Sequence, residues 1–288
     1  MHFTTQQYTD DFTEFESALA EFLHHVPADG WKNPTGTRDR DWTLHEALAH
    51  VVSVARLFNE AITAALTETP LFLPNFTQRE HLQEWNMVQI AALVKTSPAE
   101  LISMLFKELN VARDHAKTLS PQQMAMTVAV PVYNRPLTVR DLIDFQLSHA
   151  GNVHAAQLPR AIGAPPLWTR YSDPLTQRQL DRFIRHFTVA YWHTLAPELY
   201  VKINMLVQHE NEGGAWHLVA APDGGLAGEG TLPDADYTVT FVDASTLFGV
   251  FTVAVPLKEA LSSGAITTSD DWRKVFKVLR YFSATPPA

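Results

Sequence analysis

The chain has 288 residues, 46% of them hydrophobic and 18% charged, which excludes disorder as the default state and suffices for two domains of about 100–200 residues each. A net charge of −9 and the lack of any dense Lys/Arg run exclude the electrostatic footprint of a nucleic-acid or anionic-membrane binder, so no nucleic acid and no membrane are expected as partners. With no cysteine, thiolate nucleophiles, disulfides, Cys-ligated zinc and iron–sulfur clusters drop out, and any metal must rest on His, Asp, Glu or backbone oxygen.

From residue 8 to 163 the periodicity is helical. Phe12, Phe15, Leu19, Phe22 and Leu23 recur at steps of three and four until Pro27 and Gly30. Thr43 then caps a second helix with the stripe Leu48, Val51, Val52, Ala55, Phe58 and Ile62, which Pro70 and Pro74 end. A third region beginning near Thr77 carries Leu82, Trp85, Val88, Ile90 and Leu93, and Ser97-Pro98 caps and starts a further helix through Leu101, Leu105, Phe106 and Leu109. Thr138 caps the last helix of this half, SHAGNVHAAQLPRAIG lies on it, and Gly163, Pro165 and Pro166 stop it. Long helices joined in this way imply an antiparallel four-helix bundle.

Beyond residue 164 the pattern changes. PLWTRYSDP, within 165–174, reads as a linker, and 175–195 as one more amphipathic helix. AWHLVA and DYTVTFV alternate apolar and polar residues as strands do, with Trp216, Val239 and Phe241 facing inward, and PDGGLAGEG between them reads as a hairpin turn. The run LFGVFTVAV reads as core in preference to a lipid cavity. Trp168, Trp192 and Trp272 read as packing anchors. The expected fold class is therefore multidomain: a four-helix bundle over 1–164, a linker over 165–174 and a small α+β domain over 175–288.

Histidine is the only chemical lead. PDGGLAGEG lacks the Lys-Ser/Thr of a phosphate loop and no nucleophile elbow occurs, so no nucleotide cofactor is expected. His50 lies midway along the second helix, with Glu46 one turn away as a partner that could orient it, and His149 and His154 lie near the middle of the last. Three neutral imidazoles with an open position suit Zn²⁺, Ni²⁺ or Fe²⁺. The spacing opposes this arrangement, because an α-helix of about 3.6 residues per turn sets positions five apart about 140° round its axis.

The tracts RDWTLHEALAHVV, EWNMVQIAALVKTSPAELISML and LTVRDLIDFQLSHAGNVHAAQLPRAIG resemble the DinB-like four-helix bundle family, which includes the amino-terminal domain of mycothiol-dependent maleylpyruvate isomerase. The resemblance implies a divalent metal held by one histidine of the second helix and an H-x-x-x-H pair of the last, followed closely by Gln-Ile or Gln-Leu. His50 matches the first position, and His154, with Gln157-Leu158 after it, matches the last. The remaining position falls on Ala150, and His149 is displaced by one residue. Either a π-bulge near Ala150-Gly151 returns His149 to the face, or the site is degenerate.

GGAWHLVAAPDG, LPDADYTVTFVDASTLFGVF and PLKEALSSGAITTSDDWRKVFKVLRYF resemble, in order, the sterol carrier protein type-two-like fold, with Ser269 where members often have glycine. Two functions stay open. One is a metal-dependent transferase or isomerase of bacterial type acting on a small electrophile with a low-molecular-weight thiol. The other is a non-catalytic small-molecule or protein-binding module with a degenerate site. MHFTTQQYTD lacks a signal peptide's basic and apolar regions, so a cytoplasmic protein is expected, and a homodimer stays open.

Overall fold

The computed structural model describes residues 3–36, 42–208, 211 and 213–283. The chain forms two compact units. Among the described residues, one comprises 3–131 and 136–171, and the other comprises 132–135 and 172–283.

The first unit is helical. It contains α1 (Thr5–His24), α2 (Leu44–Leu66), α3 (Leu82–Leu93), α4 (Pro98–Thr118) and the single turn α5 (Pro121–Met124). The short paired strands β1 (Thr127–Val128) and β2 (Leu137–Thr138) follow, then α6 (Val139–Ser148), a π-helical turn (His149–Val153) and α7 (Gln157–Arg160). Capping boxes at Thr4, Thr43, Ser97 and Thr138 start α1, α2, α4 and α6, each satisfying two end groups that the helix cannot pair internally.

The bundle consists of α1, α2, α4 and α6, and α2 is apolar on nearly every face because α3, α4 and α6 surround it. Burial of Leu48, Phe58 and Ile62 on α2 and Leu105 and Leu109 on α4 stabilises the pairing by about 1.5–3 kcal/mol per side chain. Polar ties fix the directions. His45 Nε2 meets the Thr96 carbonyl before α4 begins, and Asn59 donates to the Glu108 carboxylate at 2.8 Å farther along, so α2 and α4 run the same way. The connection through α3 is long enough to return the chain to the same end. α6 runs opposite to α2, with Gln146 Nε2 donating to the Ala55 carbonyl at 2.8 Å. No helix among the described residues is long and apolar enough to cross a membrane.

Helix α3 corrects one expected stripe. Trp85, Asn86 and Ile90 are buried and Val88 is 59% exposed. At about 100° per residue, Val88 lies about 140° from the middle of the buried arc.

The second unit begins with α8 (Asp173–Val189), capped by Ser172. The expected helix to residue 195 stops early because Tyr191 bridges to Phe282 and Trp192 donates its backbone N–H to the Tyr281 carbonyl, pulling the chain out of helical register. There follow β3 (Val201–Val207), β4 (Gly214–Ala221), β5 (Gly224–Glu229), β6 (Tyr237–Phe241), α9 (Ala244–Phe251), α10 (Leu257–Ser262), β7 (Ile266–Thr268) and α11 (Trp272–Leu279). The sheet order is β5-β4-β3-β6-β7, parallel only between β3 and β6. Met205 faces both Trp216 and Val239 across its centre. Trp216, Val239 and Phe241 are buried as expected, and Leu247 and Phe248 of α9 are core.

Only the first two residues of PDGGLAGEG form the hairpin turn, and most of its glycines lie in a strand. Ala221 pairs with Gly224, leaving only Pro222 and Asp223 to reverse the chain, and Gly225 and Gly228 stand within β5. A β-carbon on Gly225 would lie 2.5 Å from the Thr188 carbonyl oxygen, so the approach of α8 to this edge strand requires its absence. The segment Val132–Arg135 also belongs to this unit. Tyr133 Oη is hydrogen bonded to His186 Nε2 at 2.8 Å, and Asn134 N–H donates to the Val189 carbonyl at 3.1 Å.

A candidate metal centre

His50 sits two turns into α2 and is 7% exposed. Glu46 accepts from the Thr43 N–H and hydroxyl at 2.9 Å each, so it caps the helix and does not orient His50. His45, which shares the spacing of five with His50, is turned to the Thr96 carbonyl at 2.8 Å. Neither belongs to the cluster.

His149 and His154 flank the π turn. The His154 N–H donates to the His149 carbonyl five residues back at 3.1 Å, in the wider ring of a π turn. That one extra residue per turn brings positions five apart onto one face, which an α-helix cannot do. A turn of this kind strains the backbone pairing around it, and Tyr171 repairs it by donating its hydroxyl to the Gly151 carbonyl at 2.9 Å. Buried Ala150, Gly151 and Asn152 fill the inner side.

The three imidazoles form a cluster. Ring centroids are 5.3 Å apart for His50 and His149, 5.0 Å for His50 and His154, and 4.5 Å for His149 and His154. One nitrogen from each lies within 4.8 Å of the others, and the Nε2 atoms of His149 and His154 are 3.2 Å apart. Two Zn–N bonds of about 2.0–2.1 Å at a tetrahedral angle would set their nitrogens about 3.3–3.4 Å apart, close to that separation.

The surroundings favour neutral rings. Burial pushes His50 well below the ordinary imidazole pKa, helped by His154, and pushes His154 down to about 4 against the opposing effect of its hydrogen bond to the Gln157 amide oxygen. Both carry lone pairs at neutral pH. His50 Nδ1 is buried with no hydrogen-bond partner among the described residues, which is costly for a polar nitrogen unless a ligand completes it. The Trp42 ring packs on His50 at 4.9 Å and Phe58 lies edge-on to His149 at 6.2 Å. His149 is half-buried and marks the open side. A divalent cation held by three uncharged nitrogens keeps its full charge for a fourth ligand.

Trp42, Phe58, Thr35 and Gln157 complete the environment. Of these, only Gln157 left a signal in the sequence, three residues after His154, where a helical turn brings side chains together.

Residues 12–145 match the family model of the mycothiol maleylpyruvate isomerase N-terminal domain. No curated protein matches the chain. Among solved structures, the crystal structure of the mycothiol-dependent maleylpyruvate isomerase is similar, with a TM-score of 0.56 and 14% identity over 93% of this chain and 96% of that one. The structure of a histidine-to-alanine mutant of that isomerase is similar too, with a TM-score of 0.56 and 13% identity over the same shares. At such identity the likeness shows a shared fold: a helical amino-terminal region followed by a sheet-containing domain.

Proposed function

We propose that the protein is a thiol-dependent isomerase of a small electrophile, holding one divalent metal with His50, His149 and His154. The observation that carries the reading is the convergence of three imidazoles, two of them kept neutral by burial and one with an orphaned buried nitrogen, at a π turn that cancels the unfavourable spacing. The likeness to the mycothiol-dependent maleylpyruvate isomerase supports the substrate class, a small molecule with a low-molecular-weight thiol.

A bound divalent metal would lower the pKa of a thiol in its open position, supplying thiolate at neutral pH. The chain's own residues do the rest. His50 and His154, kept uncharged by burial, present lone pairs without competition from protons. Trp42 packs on His50 and Phe58 on His149, walling the cluster on two sides. Isomerisation about a conjugated double bond needs that bond to become single. Addition of thiolate with a proton does this, and its later expulsion restores both double bond and thiol, so the thiol is not consumed. The reading requires a reducing cytoplasm, where a small thiol stays reduced. Zinc is the metal these donors suit best, with Ni²⁺ and Fe²⁺ as alternatives.

The test is elemental analysis of protein purified without a histidine tag, followed by thiol-dependent isomerisation of maleylpyruvate before and after chelation. One metal per chain and activity lost on chelation are expected. Absence of metal at saturating Zn²⁺ and Ni²⁺ would sink the proposal.

A further inference from the structure

The hydrogen bonds behind His154 have one consistent direction, set by a backbone carbonyl. The Trp42 oxygen can only accept, and it takes the Thr35 N–H and the Thr35 hydroxyl, each at 2.8 Å. A hydroxyl has a single proton. With that proton on Trp42, Thr35 Oγ1 can only accept from its other neighbour, Gln157 Nε2, at 3.3 Å. The amide of Gln157 is thereby fixed with its NH₂ toward Thr35 and its oxygen toward His154 Nδ1. Flipped, it would face an oxygen with no proton left to give. Since Gln157 Oε1 only accepts, Nδ1 of His154 carries the proton and the neutral ring presents its lone pair at Nε2, the nitrogen that faces His149.

We propose that Gln157, held by Thr35, is the positioning residue that selects the Nδ1–H tautomer of His154 and so makes Nε2 available to a ligand. Thr35 is fully buried, and His154 and Gln157 nearly so, so water does not compete for these bonds. Arg160 steadies the same segment, donating to the Gly36 carbonyl at 2.8 Å. Trp42, whose carbonyl sets the direction, lays its ring on His50, so one residue ties the surroundings of two histidines from different helices. Free histidine in water prefers the opposite tautomer, and the protein imposes this one. The effect on metal affinity rests on the proposed metal site, whereas the tautomer itself does not.

The test starts with the full-length protein stripped of metal by a chelator and carrying ¹⁵N,¹³C-histidine, its His154 signals assigned by their loss in His154→Gln. Wild type is expected as the Nδ1–H tautomer, and Gln157→Leu as the Nε2–H tautomer. Gln157→Glu, which keeps an accepting oxygen, should retain Nδ1–H and guards against misreading a folding defect in the Leu variant. Titration with Co²⁺ and Zn²⁺ should then show about 10–100-fold weaker binding in Gln157→Leu, the usual consequence of losing a partner that orients a ligand. An Nε2–H tautomer in the wild type, or an Nδ1–H tautomer persisting in folded Gln157→Leu, overturns the proposal. A wild type in the Nδ1–H form that binds no metal supports the tautomer assignment and refutes the metal reading alone.

Discussion

His149 Nε2 and His154 Nε2 stand 3.2 Å apart across a turn of π-helix. A π turn is an α-helix carrying one extra residue, so deleting that residue should restore α-helical register without changing either flank. Deleting Ala150 turns the H-x₄-H spacing into H-x₃-H and keeps both histidines on one face. The shortened protein should still bind one metal per chain, by elemental analysis and calorimetry. Loss of metal with a normal melting curve would mean that the π turn supplies more than register.

Single substitutions separate the ligands. His50→Ala and His154→Ala should each abolish binding, since each ring supplies one of the three nitrogens that converge there and both rings are buried. His149→Ala is the decisive variant because that ring lies on the open side. Its loss should remove stoichiometric metal, and retention at wild-type affinity would place the third ligand elsewhere.

The metal-free protein should lose stability in mild acid. Burial keeps the folded-state pKa of His154 at about 4 and that of His186 at about 3, and depresses His50 as well. Unfolded histidines take up protons at about 6.5, so below that pH the unfolded state binds more protons than the folded one and stability falls. The contribution is complete above pH 6.5 and is lost as pH drops toward the folded values, at about 1.4 kcal/mol per pH unit for each histidine. Urea midpoints at pH 7.5, 6 and 5 measure it. A flat profile would contradict the buried, neutral assignment. The same depression means that protons compete for His154 only near pH 4, so metal should survive well below the 6.5 of a free imidazole.

Two glycines of β5 should respond differently to alanine. Gly225→Ala drives a methyl to 2.5 Å from the Thr188 backbone oxygen, which cannot move without shifting α8, and should cost about 1–3 kcal/mol. Gly228→Ala meets the ring of His217, whose side chain can rotate away, and should cost less. Equal melting temperatures would show that β5 and α8 are not held at this distance. At the sheet's centre, Val239→Asp should lower Tm sharply, because a fully buried carboxylate without a partner costs several kcal/mol.

What was legible in the sequence was local. Thr43, Ser97-Pro98 and Thr138 announced helix starts because a cap needs only its own next three residues. The spacing of His149 and His154 announced an irregularity, although not that Tyr171 would accommodate it. Val88, the early end of α8 and the glycines of β5 were misread because in each case a distant partner decides: α2 for Val88, the Phe282 region for Tyr191, and Thr188 for Gly225. The Gln157–Thr35 contact joins residues 122 positions apart, and nothing near either one signals the other.

The segment Val132–Arg135 imposes an order on synthesis. It leaves the ribosome before any other substantial part of the unit it belongs to, and Tyr133 and Asn134 wait for His186, Val189 and Tyr191 to be made. Translation therefore completes the helical unit while this piece of its neighbour is still unmatched. For the same reason residues 172–288 are not a transplantable cassette. Grafted onto another protein, they would arrive without the tyrosine that meets His186 and the asparagine that closes the end of α8.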